Sequence, residues 1–249
     1  MSYKNLAFFD LDGVVANLAL WVSETVNVLL RGQDYRGLSD SKTIRKCLRD
    51  LRKLGVTSTT PSDFSWSSLH IPESASDEEK KALKKRFRPY RSIVYKIAGQ
   101  KGFFKELPVM NRWLLDVALS KHPHLCFLTS PIGNHHFSED GSLVLDEKGQ
   151  RCAEEKRWWV KNVLGLDNEV IVVPREMKAE IVGQGWLIDD HPKTWREFNA
   201  AGKKCYLFPD QTQDVLIREC GYTEAEAYAV LANSHPSSQE STDISQFAR

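Results

Sequence analysis

Five short apolar runs, each closed by polar or turn-forming residues, set the pattern of this chain. They are Leu6–Phe9 before Asp10, Leu125–Leu128 before Thr129-Ser130, Glu169–Val173 before Pro174, Trp186–Ile188 before Asp189-Asp190, and Lys204–Phe208 before Pro209. A short continuous apolar run bounded in this way predicts a parallel strand covered on both faces. Helical spacing of apolar positions fills the gaps: Met110–Leu119, Glu154–Leu164 with Gly165 as its stop, and Pro192–Ala201 closed by Gly202. Alternation of strand and helix predicts an α/β sheet built from right-handed crossovers. Ligands of such sheets bind at the carboxyl ends of the strands. Here those ends carry Asp10, Thr129, Ser130, Asp189 and Asp190.

The stretch 17–102 reads differently. A helix-like apolar run, Leu18–Leu30, gives way to basic sequence, then to a Ser/Thr/Pro-rich passage from Thr57 to Ser76, then to a charged helix over Asp77–Arg88. No parallel strand is apparent in it, so it predicts a helical insertion after the first strand. Segments 1–16 and 103–210 then form the core domain and 17–102 a helical cap, while 211–249 holds a helix (Asp214–Cys220, then Thr223–Ala232) and a Ser/Gln/Pro-rich tail expected to be disordered.

Composition narrows the classes. The 249 residues include 34 Lys+Arg and 33 Asp+Glu, a formal net charge of +1, which argues against a general electrostatic role on nucleic acid or membrane but permits a local patch. The run Lys80–Arg88 is either a solvated helix face or such a patch for phosphate or nucleic acid. No stretch approaches the ~18 consecutive apolar residues of a membrane span, and the first ten residues do not read as a signal peptide. Five cysteines without CxxC pairing read as reduced thiols, and so as a cytoplasmic protein.

Asp10-Leu11-Asp12-Gly13 is the first chemical signal. A carboxylate is ionised at neutral pH, so Asp10 could attack phosphorus without a base, and Asp12 could protonate the departing oxygen if its surroundings raise its pKa. An ordinary Asp-Gly turn gives the same residues. Asp189-Asp190 is a second pair. If the pairs meet, each like-charge contact at ~4 Å costs about 4 kcal/mol at an effective dielectric near 20, which a cation such as Mg²⁺ would relieve. A solvated acidic turn is the alternative. Thr129-Ser130 could hold phosphoryl oxygens, and Lys178, eleven residues before Asp189, could offset the charge of phosphate and nucleophile. Phe103 and Phe104 could stack on a base or simply pack in a core.

Taken in order, Asp10-Leu-Asp-Gly-Val-Val-Ala16, Gly102-Phe-Phe-Lys-Glu-Leu-Pro108, Leu128-Thr-Ser-Pro131, Glu155-Lys-Arg-Trp-Trp-Val160 with Leu164-Gly165, and Leu187-Ile-Asp-Asp190 resemble the motifs of the haloacid dehalogenase (HAD) superfamily, and within it the 5′(3′)-deoxyribonucleotidases. The resemblance covers Leu6–Ala16 and Gly102–Phe208. It implies a Rossmann-like HAD core with helices on both faces of a parallel sheet, a helical cap, and a Mg²⁺-dependent phosphatase acting on nucleoside monophosphates through an aspartyl-phosphate. By position, Asp10 resembles the nucleophile and a metal ligand. Asp12 resembles the general acid/base with its carbonyl on the metal. Thr129 and Ser130 resemble the phosphoryl-binding pair, Lys178 the residue that steadies the pentavalent state, and Asp189 and Asp190 the residues that bind or orient the metal. Lys156 matches a further basic position on the substrate side. The departures are Asn17, where the family has Asp, and about fifteen extra residues around Ser138–Arg151, whose turn signals Glu139–Gly141 and Glu147–Gly149 flank Leu143–Leu145 and predict an added hairpin. A polynucleotide-end phosphatase and a catalytically silent nucleotide-binding module are the competing expectations. A homodimer is open, and no membrane partner is expected.

Overall fold

The computed structural model describes residues 6–234. In chain order the regular elements are β1 (Ala7–Phe9), α1 (Leu18–Leu30), α2 (Lys42–Lys53), α3 (Asp77–Ile97), α4 (Arg112–Lys121), β2 (Cys126–Thr129), β3 (His135–Phe137), β4 (Leu143–Leu145), α5 (Glu147–Trp159), β5 (Val170–Val172), α6 (Lys178–Val182), β6 (Trp186–Asp189), α7 (Pro192–Ala200), β7 (Lys204–Leu207), α8 (Thr212–Asp214) and α9 (Glu224–Ser234). The described residues fall into two compact units, one of 6–17 with 104–234, the other Leu18–Phe103.

The first unit is α/β. Its sheet has five parallel strands in the order β5-β2-β1-β6-β7, with Phe9 opposite Phe127 on one side and Ile188 on the other. Starting from the central β1, the chain winds outward through β2 and β5, then returns across β1 to lay down β6 and β7. Right-handed crossovers in opposite directions place their connections on opposite faces, which is why β1, β2 and β6 are buried throughout. Alternate side chains fill the two faces. Phe8, Cys126, Leu128, Leu187 and Cys205 pack with Val182 of α6 and Phe198 of α7. On the other face Trp186 meets Phe9, His122 and Tyr206 edge-on at ring distances of 5.8, 5.6 and 6.0 Å.

The sequence segments expected to form strands do so, trimmed or shifted by a residue. The expected hairpin is present, β3 pairing antiparallel with β4. Its second flank differs: Glu147–Gly149 is not a turn but the first turn of α5, because Asp146 caps that helix by accepting from the Gly149 amide at 2.7 Å. From there α5 runs on through a wider turn, Val160–Leu164, to Gly165 at φ 70°, so the helix expected from Glu154 starts a full two turns earlier. Past β7 the chain continues through α8 and α9. The tail expected to be disordered lies, beyond Ser234, outside the described residues.

The second unit is helical. α1 is held to the following loop by Thr59, whose amide donates to Asn27 Oδ1 at 2.7 Å and whose hydroxyl donates to the Ser23 carbonyl at 3.2 Å. α2 buries Ile44, Cys47, Leu48 and Leu51, a spacing of three, four and seven residues, and leaves its basic side chains outside. α3 begins in a capping box in which Ser76 and Glu79 satisfy each other's backbone amides, and it runs nine residues beyond Arg88, passing through Pro89. None of the helices in the described residues is long and apolar enough to cross a membrane.

Candidate active site

The strand order decides where a ligand can sit. Winding reverses between β1 and β6, and the carboxyl ends of neighbouring strands at such a reversal splay into a crevice. β1 ends at Asp10 and β6 at Asp189-Asp190, and the Asp10 amide donates to the Ile188 carbonyl at 2.9 Å, which locks the two ends side by side. Next to them β2 ends at Thr129-Ser130.

Four carboxylates and two ammoniums occupy this end of the sheet. Lys178, buried at the start of α6, places Nζ 2.7 Å from Asp189 Oδ2 and 3.1 Å from Asp10 Oδ1. The other Asp189 oxygen accepts the His191 amide at 2.8 Å, so this fully buried carboxylate is held at both ends. Lys156 of α5, equally buried, spends its three protons on Asp12 Oδ2 at 2.6 Å, Thr129 Oγ1 at 2.8 Å and the Ser130 carbonyl at 2.6 Å. It thereby ties the β1 loop to the end of β2. The Phe104 ring lies under the same ammonium, 4.8 Å from its centre.

Gly13 lets Asp190 into the site. Its φ of 84° is a conformation side chains rarely adopt, and a Cβ there would come within 2.0 Å of Asp190 Oδ2. One ligand oxygen each from Asp10, Asp189 and Asp190 lies within 4.8 Å of the others. With all six groups ionised, four negative charges face two positive ones and leave an excess of −2. The protein without a cation relieves that excess by protonation. Burial, reinforced by Asp189 and Asp12 against the opposing pull of Lys178, raises the Asp10 carboxyl to about 7. Burial and the neighbouring carboxylates raise Asp190 well above the carboxylate range. Burial alone would lower both lysines, but the carboxylates outweigh it: Asp10 and Asp189 keep Lys178 charged, and Asp12 leads in doing so for Lys156.

A divalent cation would cancel the same excess. Asp12 Oδ1 and Asp190 Oδ1 are buried with no hydrogen-bond partner among the described residues, which is costly for a carboxylate oxygen unless something else ligates it. Mg²⁺ holds oxygens at about 2.1 Å, so two ligands on one ion are at most about 4.2 Å apart, a spacing within small side-chain rotations of the one present. The donor set, all oxygen, fits such an ion.

Each residue singled out from sequence has a definite place. Asp10, Asp12, Thr129, Ser130, Lys156, Lys178, Asp189 and Asp190 come together at one end of the sheet. Phe103 and Phe104 are each only 1% exposed, so their faces are committed to packing. Three residues support the site, and sequence reasoning missed two of them, His191 and Asn111. His191 holds Asp189 through its amide, Gly13 makes room for Asp190, and Asn111, at φ 50°, donates to the Val14 carbonyl at 2.8 Å and steadies the loop after Asp12. The positive φ at Gly13 was legible in a glycine after two aspartates; the other two depend on backbone placement.

No protein-family model matches the chain, and no curated protein matches it. Among solved structures it is similar to a hydrolase from Streptococcus pneumoniae TIGR4, at 12% identity and a TM-score of 0.37, over 87% of this chain and all of that one. A likeness that faint says nothing about chemistry, which rests on the residues themselves.

Proposed function

We propose that this protein is a Mg²⁺-dependent phosphomonoester hydrolase of the HAD type, acting on nucleoside monophosphates through an aspartyl-phosphate. The observation that carries the reading is the convergence of Asp10, Asp189 and Asp190 around Lys178 at the reversal of the sheet. The nucleotide as substrate rests on the sequence resemblance alone.

In the first half-reaction an Asp10 oxygen attacks phosphorus, the bond from phosphorus to the ester oxygen breaks, and Asp12 gives that oxygen its proton. In the second, Asp12 takes a proton from water as the water oxygen attacks the acyl phosphate, releasing inorganic phosphate and restoring Asp10. Lys178 favours the ionised form of Asp10 needed for attack and, with Thr129 and Ser130, offsets charge on the phosphoryl oxygens. Lys156 acts by position: it fixes Asp12 and Thr129 relative to each other. Asp10, Asp189 and Asp190, with the Asp12 carbonyl, would hold Mg²⁺, which when bound lowers the cost of bringing phosphate oxygens beside carboxylates.

The test is phosphate release from deoxynucleoside monophosphates with Mg²⁺ or with EDTA. Wild-type activity should require Mg²⁺, and Asp10→Asn should fall to the uncatalysed background. Undiminished turnover by Asp10→Asn would end the proposed mechanism. The same chemistry at a polynucleotide end is the second reading, favoured by a cation-lined cleft in the helical unit.

A further inference from the structure

α2 and α3 enclose a cleft of about 910 Å³ within the helical unit. Six cations line it: Lys42, Lys46 and Lys53 from α2, and Lys85, Arg86 and Arg88 from α3. All six are exposed, and among the described residues none of their side chains is in an ion pair or a hydrogen bond. Asp50 is the one carboxylate among the lining residues. The lining therefore carries +5 in a chain whose total is +1, which leaves −4 for everything else. Such segregation places repelling charges together at a cost in stability, and a solvated helix face that merely aids solubility gains nothing from it.

The arrangement selects the ligand. At 100° per residue, Lys42, Lys46 and Lys53 fall within about 40° of one another around α2, a row spanning about 16 Å at 1.5 Å per residue. Charges of a stacked strand recur about every 3.4 Å, so the row matches about five phosphates in line. A lone phosphate could not meet cations spread over that length. A flat lipid surface would touch the rims of a concavity and leave its floor uncovered. The lining also includes Leu54, Ala82 and Pro89, suited to sugar and base edges, and no aromatic residue is among the lining residues, so stacking cannot choose a sequence.

We propose that the α2–α3 cleft is a binding site for single-stranded nucleic acid, held through its phosphates without sequence preference. The site goes beyond the hydrolytic reading and stands whichever phosphate ester is cleaved. Binding of fluorescein-labelled dT12 and dA12 to the full chain carrying Asp10→Asn, followed by anisotropy at 50 and 200 mM KCl, tests it without interference from turnover. With three to five phosphates neutralised, raising the salt should weaken binding about 20- to 130-fold, equally for both strands. Lys46→Glu with Arg86→Glu, both exposed, should lower the salt slope by about 1.4 and leave mononucleotide turnover, measured in the Asp10 background, unchanged. Lys121→Glu with Lys161→Glu on the sheet unit should alter neither. No binding at 50 mM KCl would overturn the proposal. So would equal loss in the sheet-unit control, or capture of phosphatidylserine vesicles through Lys46 and Arg86 without capture of dT12. Because turnover is read on mononucleotides, failure here leaves the hydrolase reading intact, and failure of turnover leaves the cleft intact.

Discussion

Asp190 shows how one residue can set both stability and ion response. Its carboxyl is buried, raised by burial and by Asp189 and Asp10, and one of its oxygens has no hydrogen-bond partner among the described residues. A group in that position contributes little to the protein without a cation, because it must take up a proton to be tolerated. Asp190→Asn is therefore expected to unfold at or above the wild-type temperature at pH 8 in EDTA, and to lose most of the rise that Mg²⁺ gives the wild type. Thermal unfolding by circular dichroism checks both halves. A variant destabilised equally in EDTA and in Mg²⁺ would mean that Asp190 is a packing residue. Lys156 is the contrasting case: its three acceptors belong to three different residues, so its place could not be read from spacing. Sequence gave it a basic position on the substrate side; the fold makes it the tie between β1 and β2.

At the scale of elements, local chemistry set most starts and stops. Gly165 ends its helix as its sequence position foretells, and the apolar positions of α1 fall where periodicity puts them. One element escaped and one was read short. The α2 pattern of Ile44, Cys47, Leu48 and Leu51 is legible in hindsight but is interleaved with six Lys and Arg, which read only as basic sequence. α3 passes through Pro89, where a helix stop is the ordinary expectation. Its N-terminus is better determined: Ser76→Ala removes the side chain that accepts the Glu79 amide, at a cost of about 1 kcal/mol. Urea unfolding followed by helical ellipticity should show that loss with an unchanged slope.

At the scale of the molecule, electrostatics links the site to global stability. Asp10 titrates at about 7 in the folded protein against 3.8 as a free side chain. Between those values the folded state holds more protons than the unfolded state, so the contribution of Asp10 to stability is full below pH 3.8 and is lost as pH rises toward 7. In EDTA the unfolding temperature should therefore fall across that window by an amount that Asp10→Asn abolishes and Mg²⁺ offsets; a wild type and variant with parallel profiles would contradict it. The sequence by itself determined the strand-forming runs, the α/β class and the identity of the acidic, basic and hydroxyl side chains at the strand ends, because burial of short apolar runs and turn chemistry are local. Tertiary structure alone decided that β6 lies beside β1, that Asp189 and Asp190 thereby meet Asp10, and that Lys156 reaches Asp12. It also closed the pairing of α2 with α3 into one cationic cleft. Strand order and helix pairing depend on contacts between residues far apart in the chain, and no local pattern encodes which distant partner a surface will meet.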